Sequence, residues 1–294
     1  LSSVKYRTKL MSHPHSVTWV DTGRKPRVLV HGGASNPASQ EAEMLVRQRI
    51  SESFEVVAET AEAELAIVLG GDGSILRASR ELSSLAIPAV GVNLGRLGFL
   101  ASVSPSELEQ AFGDVVAGNC RIVEHLMLEC TVLRDGKPVA SAIGLNEAAL
   151  LRGAPFSILD IDLQVDGELA TTFSCDGLII STPVGSTAHS LSAGGPILRK
   201  TLDAFVISAI SPHTLTVRPV VDSSNRIYEM TLRETVAETA VAVDGKVIAS
   251  VTERDVIRVQ KAPRPFLMIE VDGQNDYRSL REKLDWGGRI RHKK

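Results

Sequence analysis

Between residues 26 and 119 the chain alternates short apolar runs with longer amphipathic ones. PRVLVHGG (26–33), FEVVAE (54–59), LAIVLGG (65–71) and IPAVGVN (87–93) each read as a short strand. LAIVL is apolar at every position, the texture of a parallel strand covered on both faces. Three helices are predicted between the strands: SQEAEMLVRQRIS (39–51), with Met44, Leu45 and Ile50 among charges, SILRASRELSSL (74–85), with Ser74 as its cap, and SPSELEQAFGDVVAG (104–118), with Ser104 as cap and Pro105 in its first position. This alternation predicts an α/β domain with a parallel sheet over residues 26–119. From Arg121 to about Glu270 the runs are short and rich in Val, Ile, Leu and Thr, and RDGKP, VDGEL and VDGKV mark turns. That pattern predicts an antiparallel β region with hairpins over residues 120–274. QNDYRSLREKL (274–284) is helical again, and residues 1–25 read as a poorly ordered leader.

Composition narrows the class. The chain has 294 residues, 44% hydrophobic and 23% charged, with a net charge of -3. This suits one large domain or two ordinary ones and gives no bulk attraction to nucleic acid or anionic membrane. No apolar run approaches the roughly 18–20 residues that a membrane-spanning helix needs. The first residues, LSSVKYRTKLMSHPHS, hold no apolar signal core, and Cys120, Cys130 and Cys175 form no CxxC pair. The expectation is a cytoplasmic protein with reduced thiols.

The chemistry concentrates first in VLGGDGSILRA (68–78). Glycines at a strand-to-helix junction permit positive φ and close backbone approach, and the N–H groups of the following helix attract phosphate. Asp72 is out of place in a pure phosphate cradle. It has three readings: a ligand for Mg²⁺ beside the phosphate, a base for a substrate hydroxyl, or a helix cap. GxxxxGK[ST] does not occur, and GxGxxG fails from Gly71 because Leu76 takes the third glycine position.

Other stretches add to this. NLGRLGFLA (93–101) is a second glycine-punctuated loop after a strand, where ligands of such sheets bind. LNEAAL (145–150) sets Asn146 and Glu147 in an apolar run, so they pair with protein groups or bind a ligand such as a ribose. DGLIISTPVGSTAHSLSAGGPIL (176–198) follows a buried strand with small hydroxyl residues and glycines, including Ser186, Thr187, Ser190 and Ser192. Such residues let backbone approach a flat ligand. No His/Cys cluster has zinc spacing, and no GxSxG occurs.

Taken in order, GGDG, NLGRLGFLA, NE, the 176–198 stretch, ISPHTLTVRP and LREKLDW resemble the NAD kinase family over about residues 60–290. GGDG alone is shared with diacylglycerol and sphingosine kinases, so a lipid kinase is the alternative enzyme. A non-catalytic NAD(H)-binding sensor is the alternative outside enzymes. The resemblance implies transfer of the terminal phosphate of ATP, or of inorganic polyphosphate, to the 2′-hydroxyl of the adenosine ribose of NAD. It implies Mg²⁺ or another divalent cation with the ATP, no prosthetic group, and a homodimer or homotetramer with sites near subunit contacts. In fold it implies an N-terminal α/β domain, a C-terminal β-sandwich-like domain that binds NAD, and a C-terminal segment, about 275–294, returning to the first.

Carried onto this sequence, the resemblance makes Asp72 the catalytic base and Gly70, Gly71 and Gly73 the donor-phosphate turn. On the NAD side it points to Asp72, Gly73, Arg77, Asn146, Glu147, Ser174 and Asp176. It adds Thr187, Ala188, His189, Ser190, Leu191 and Ser192 around adenine and ribose, and Lys246. No protein ligand for a metal is assigned. Three positions depart from the family pattern: His189 stands where Tyr is usual, Ser174 where a basic side chain is frequent, and Lys246 where Gln is frequent. A histidine stacks over less area than tyrosine and titrates near neutral pH, so it is expected to weaken NAD binding or make it pH-sensitive.

Overall fold

The apolar run Leu65–Leu69 is buried at every position, and it lies near the middle of one of three six-stranded sheets. The structure is a computed structural model that describes Trp19 and residues 23–32, 40–94, 98–101, 103–153, 158–271, 280, 281 and 284. In chain order the first part comprises β1 (Arg27–Gly32), α1 (Gln40–Ser53), β2 (Glu55–Val56), β3 (Leu65–Leu69), α2 (Asp72–Leu85), β4 (Ala89–Val92), α3 (Leu108–Ala117) and β5 (Cys120–His125). Then follow β6 (Leu128–Arg134), β7 (Lys137–Gly144), β8 (Glu147–Leu151), β9 (Leu159–Val165), β10 (Glu168–Cys175), β11 (Gly177–Ser181) and the short helix α4 (His189–Ser192). The last strands are β12 (Ala204–Ile210), β13 (Val220–Ser223), β14 (Tyr228–Leu232), β15 (Ala240–Val243), β16 (Lys246–Ser250), β17 (Asp255–Lys261) and β18 (Phe266–Val271).

The first sheet runs β2-β1-β3-β4-β18-β5, parallel except at β5. Each face has its own core. Val46 and Ile50 of α1 and Phe112 and Val115 of α3 cover Leu65, Ile67 and Leu69, while Ile75, Ala78 and Leu82 of α2 cover Ala66 and Val68. The chain leaves β1 toward β2 and leaves β3 toward β4, so strand order reverses between β1 and β3. The GGDG turn starts at that reversal, on the carboxyl side of β3, where open α/β sheets bind ligands.

The other two sheets, β10-β9-β14-β17-β6-β7 and β13-β12-β11-β8-β15-β16, are antiparallel throughout. Their inner faces share one core, with Leu128, Leu159, Ile161, Leu178, Ile180, Phe205 and Tyr228, and so form the expected sandwich. Phe205 and Tyr228 meet edge to face at 5.9 Å between ring centroids.

Two expectations change. The boundary at 119/120 does not hold, because β5 and β18 hydrogen-bond into the first sheet. β18 is the interior strand there, and its buried FLMI run has the same texture as LAIVL. Most of the leader lies outside the described residues; within it Trp19 is 2% exposed and donates its Nε1–H to Val115 O at 2.8 Å. Arg24 is likewise fixed by paired bonds to Glu64 at 2.7 Å. On α1, Val46 and Ile50 are buried, and Met44 and Leu45 face outward. α2 begins at Asp72, with Gly71 as its N-cap, rather than at a Ser74 cap. Ser104 and Pro105 do start their helix, through a capping box with Glu107 and a 3-10 turn that leads into α3. The final helix and the returning segment at about 275–294 lie outside the described residues except for helical positions 280, 281 and 284.

Candidate active site

Leu69 ends β3, and the next residue, Gly70, has φ +126, a conformation that L side chains rarely adopt. Its N–H donates to Val92 O at 3.0 Å, which keeps the turn against β4. Gly71 and Gly73 are exposed, and a β-carbon on Gly71 would meet nothing within 4 Å among the described residues. The N-terminus of α2 is therefore open on that side, with the positive end of its dipole facing outward. Arg77, one turn on, is exposed and donates to Ser74 Oγ at 3.1 Å.

Asp72 is not a cap for its own helix. Its carboxylate takes three N–H groups of the second glycine loop: Phe99 to Oδ2 at 2.6 Å, and Leu100 and Ala101 to Oδ1 at 2.8 and 3.2 Å. The two glycine-punctuated stretches thus form one unit, with the acid fixed at their junction. Residues 95–97 of the second stretch lie outside the described residues.

The sandwich contributes the second half. Asn146 precedes β8, and its carbonyl accepts from Thr182 N at 2.8 Å. A β-carbon on Gly185 would stand 2.1 Å from that carbonyl oxygen, so only glycine fits there. Glu147 is 7% exposed, and its Oε2 is buried with no hydrogen-bond partner among the described residues. The backbone N–H of His189 faces the Glu147 carboxyl, yet burial, followed by the nearby Asp244, pushes its pKa up to about 7. An orphaned carboxylate oxygen beside a loop is an acceptor placed for a ligand hydroxyl.

Asp244 was not a candidate in the sequence, because VDGK reads as an ordinary turn. Its side chain is 2% exposed and accepts the N–H groups of Leu145, Asn146 and Glu147 at 2.9, 2.8 and 3.2 Å. Burial raises its pKa from the ordinary aspartate value, against the pull of those donors and of Arg80. Arg80, on α2, donates to Val243 O at 3.2 Å and lies 3.9 Å from Asp244 Oδ2. Ile75, Ala78 and Leu82 of α2 also share one core with Leu100, Leu145 and Val184. Helix α2, which starts at Asp72, therefore packs directly beside Asn146 and the 183–189 turn.

The hydroxyls of that turn act mostly within it. Ser186 Oγ donates to Pro183 O at 2.6 Å, Thr187 Oγ1 to Val184 O at 3.1 Å, and Ser190 Oγ lies 3.1 Å from Ser208 Oγ. Ala188 has an unusual backbone, φ −106 and ψ −125, which precedes α4 with His189, Ser190, Leu191 and Ser192. Lys246 is exposed, opposite Val243 across the hairpin that holds Asp244. Ser174 and Asp176 are not brought to Glu147. Glu147 pairs with Ser181 and Leu151 with Gly177, which puts the Asp176 corner at the far end of the strand, roughly 13 Å away by strand rise. There Asp176 binds Arg152 at 2.9 Å, and the Ser174 hydroxyl donates to Asp160 Oδ1. Among the described residues no three His, Cys, Asp or Glu side chains cluster as metal ligands.

Residues 20–120 match the model of the ATP-NAD kinase N-terminal domain and residues 145–271 that of the ATP-NAD kinase C-terminal domain. An NAD kinase of Rhodopirellula baltica is 48% identical over 288 residues, covering 95% of this chain and 93% of the relative. An NAD kinase of Methylococcus capsulatus is 39% identical over 229 residues, covering 78% of this chain and 79% of the relative. The yeast NADH kinase structure in complex with NADH shares the fold, with a TM-score of 0.81 at 22% identity, covering 93% of this chain and 91% of that one. The NAD kinase from Archaeoglobus fulgidus in complex with ATP aligns with a TM-score of 0.70 at 25% identity, covering 89% and 99%. This chain belongs to the NAD kinase family.

Proposed function

We propose that the chain phosphorylates NAD at the 2′-hydroxyl of its adenosine ribose, with ATP as donor and Asp72 as the base. The observation that carries this reading is the placement of Asp72 at the open N-terminus of α2, fixed by the N–H groups of Phe99, Leu100 and Ala101. A hydroxyl is a weak nucleophile, and a carboxylate held in one orientation beside it is suited to take its proton. The 2′-oxygen then forms a bond to the terminal phosphorus, the bond to the bridging oxygen breaks, and ADP leaves with that electron pair. The α2 N-terminus and the Gly70–Gly73 backbone receive the donor phosphates. Mg²⁺ enters as part of the ATP substrate.

On the sandwich side, Glu147 Oε2 accepts a ribose hydroxyl, and the turn at 187–192 borders the adenine and ribose. The gap between Glu147 and Asp176 supports a homo-oligomer, in which Ser174 and Asp176 serve a site shared with a neighbouring copy. Buried or half-buried thiols with raised pKa values, about 11 for Cys120 and Cys175 and about 12 for Cys130, suit unreactive residues in a reducing cytoplasm. No helix among the described residues is long and apolar enough to cross a membrane. The lipid-kinase and sensor alternatives are set aside, since both domain models and the relatives above are NAD kinases. The test is conversion of NAD to NADP with Mg-ATP, run beside an NAD analogue that lacks the adenosine 2′-hydroxyl. NADP from NAD and no phosphorylated product from the analogue is the expected outcome; phosphorylation of the analogue contradicts the acceptor assignment.

A further inference from the structure

The peptide unit between Phe99 and Leu100 carries two hydrogen bonds at once. Its N–H donates to Asp72 Oδ1 at 2.8 Å, and its carbonyl oxygen accepts from Lys200 Nζ at 2.8 Å. Lys200 comes from the other half of the molecule, two residues past the 176–198 stretch. That segment is itself fastened to the nucleotide turn, because Leu198 N–H donates to Ser186 Oγ at 3.0 Å.

We propose that Lys200 is a positioning residue for phosphoryl transfer, acting on Asp72 through the 99–100 peptide. The proposal rests on Asp72 being the base. A peptide is a planar, delocalised unit, so a cation on its oxygen increases the positive charge on its N–H. The Leu100 N–H then binds the carboxylate more strongly and holds Oδ1 more firmly in place. The same link sets distance. The turn that borders the ribose and the loop that holds the base cannot drift apart without breaking the Lys200 bond. Small errors in that distance are costly to rate, because one half holds the NAD whose hydroxyl reacts and the other holds the base.

The experiment compares full-length Lys200→Met, Lys200→Gln and Lys200→Arg with the unaltered chain. Lys200→Met is expected to lower kcat about tenfold while the KM values for NAD and ATP stay within about twofold, with Lys200→Arg restoring most of the rate and Lys200→Gln falling between. A bond that only stabilises the fold, without setting the position of Asp72, would change melting temperature and leave kcat alone. An independent readout is the Leu100 amide in ¹⁵N-leucine-labelled protein. Its proton resonance moves upfield in Lys200→Met and returns in Lys200→Arg. That signal needs no turnover, so it reports on Lys200 even if the chain makes no NADP. An unmoved Leu100 resonance, an unchanged kcat in Lys200→Met, or no recovery in Lys200→Arg overturns the proposal.

Discussion

Gly98 lies directly against the Asp72 carboxylate: a β-carbon on it would stand 2.0 Å from Oδ1 and 2.8 Å from Cγ. Only a hydrogen fits there, so Gly98→Ala must push out either the acid or the loop that binds it. The three N–H bonds to Asp72 then break or lengthen. Turnover is expected to fall roughly a hundredfold, the scale of a misplaced catalytic group. Calorimetric NAD binding should stay close to that of the unaltered chain, since Glu147 and the 187–192 turn are untouched. Full activity in Gly98→Ala would show that the Asp72 geometry does not matter.

Glu147 makes the protein sensitive to pH near neutrality. Its pKa is raised from 4.5 to about 7, mainly by burial. Below pH 4.5 the group is protonated in both folded and unfolded chains. As pH rises toward 7, the unfolded chain releases a proton that the folded chain keeps, so stability declines across that window and the loss is complete above it. Glu147→Gln removes the titration. The melting temperature of the unaltered chain should therefore fall relative to Glu147→Gln between pH 5 and pH 8. NAD binding has the opposite trend, because a ribose hydroxyl favours the ionised acceptor: affinity rises through about pH 7 in the unaltered chain and is flat in the variant. Parallel curves for the two proteins in both measurements would contradict the assignment.

Asp244 acts through the backbone it clamps. Asp244→Ala leaves the N–H groups of Leu145, Asn146 and Glu147 without their acceptor in a buried setting. The expected loss is about 2–4 kcal/mol of unfolding free energy, measured by urea titration, together with a weaker NAD affinity. A variant as stable as the parent would mean that water replaces the carboxylate without cost.

Much of this was legible before the structure. LAIVL and its neighbours predicted the parallel sheet because covered strands are apolar on both faces, and DG turns marked the hairpins of the sandwich. GGDG marked Asp72 as a metal ligand, a base or a helix cap, and only the resemblance to NAD kinases pointed to the base. What stayed hidden depended on long-range pairing. β18 has the apolar texture of β3, but nothing local says that it returns past the whole sandwich to lie between β4 and β5. Asp244 and Asp166 sit in near-identical VDG turns, and only tertiary packing buries the first while the second stays exposed. Trp19 is one aromatic in a polar stretch with no period, and its bond to Val115 on α3 is a long-range contact that no local pattern announces. The hydroxyls of Ser186 and Thr187 were visible, but their direction into the turn was not.

The most direct measurement is NADP formation by Asp72→Asn beside the unaltered protein, with NAD binding measured on both by calorimetry. The account predicts that turnover drops by about a thousandfold or more, as removal of a general base does, while NAD binding is retained. An Asp72→Asn variant that binds NAD and still turns over within about tenfold of the parent would contradict it, because a lost base is worth at least about a hundredfold.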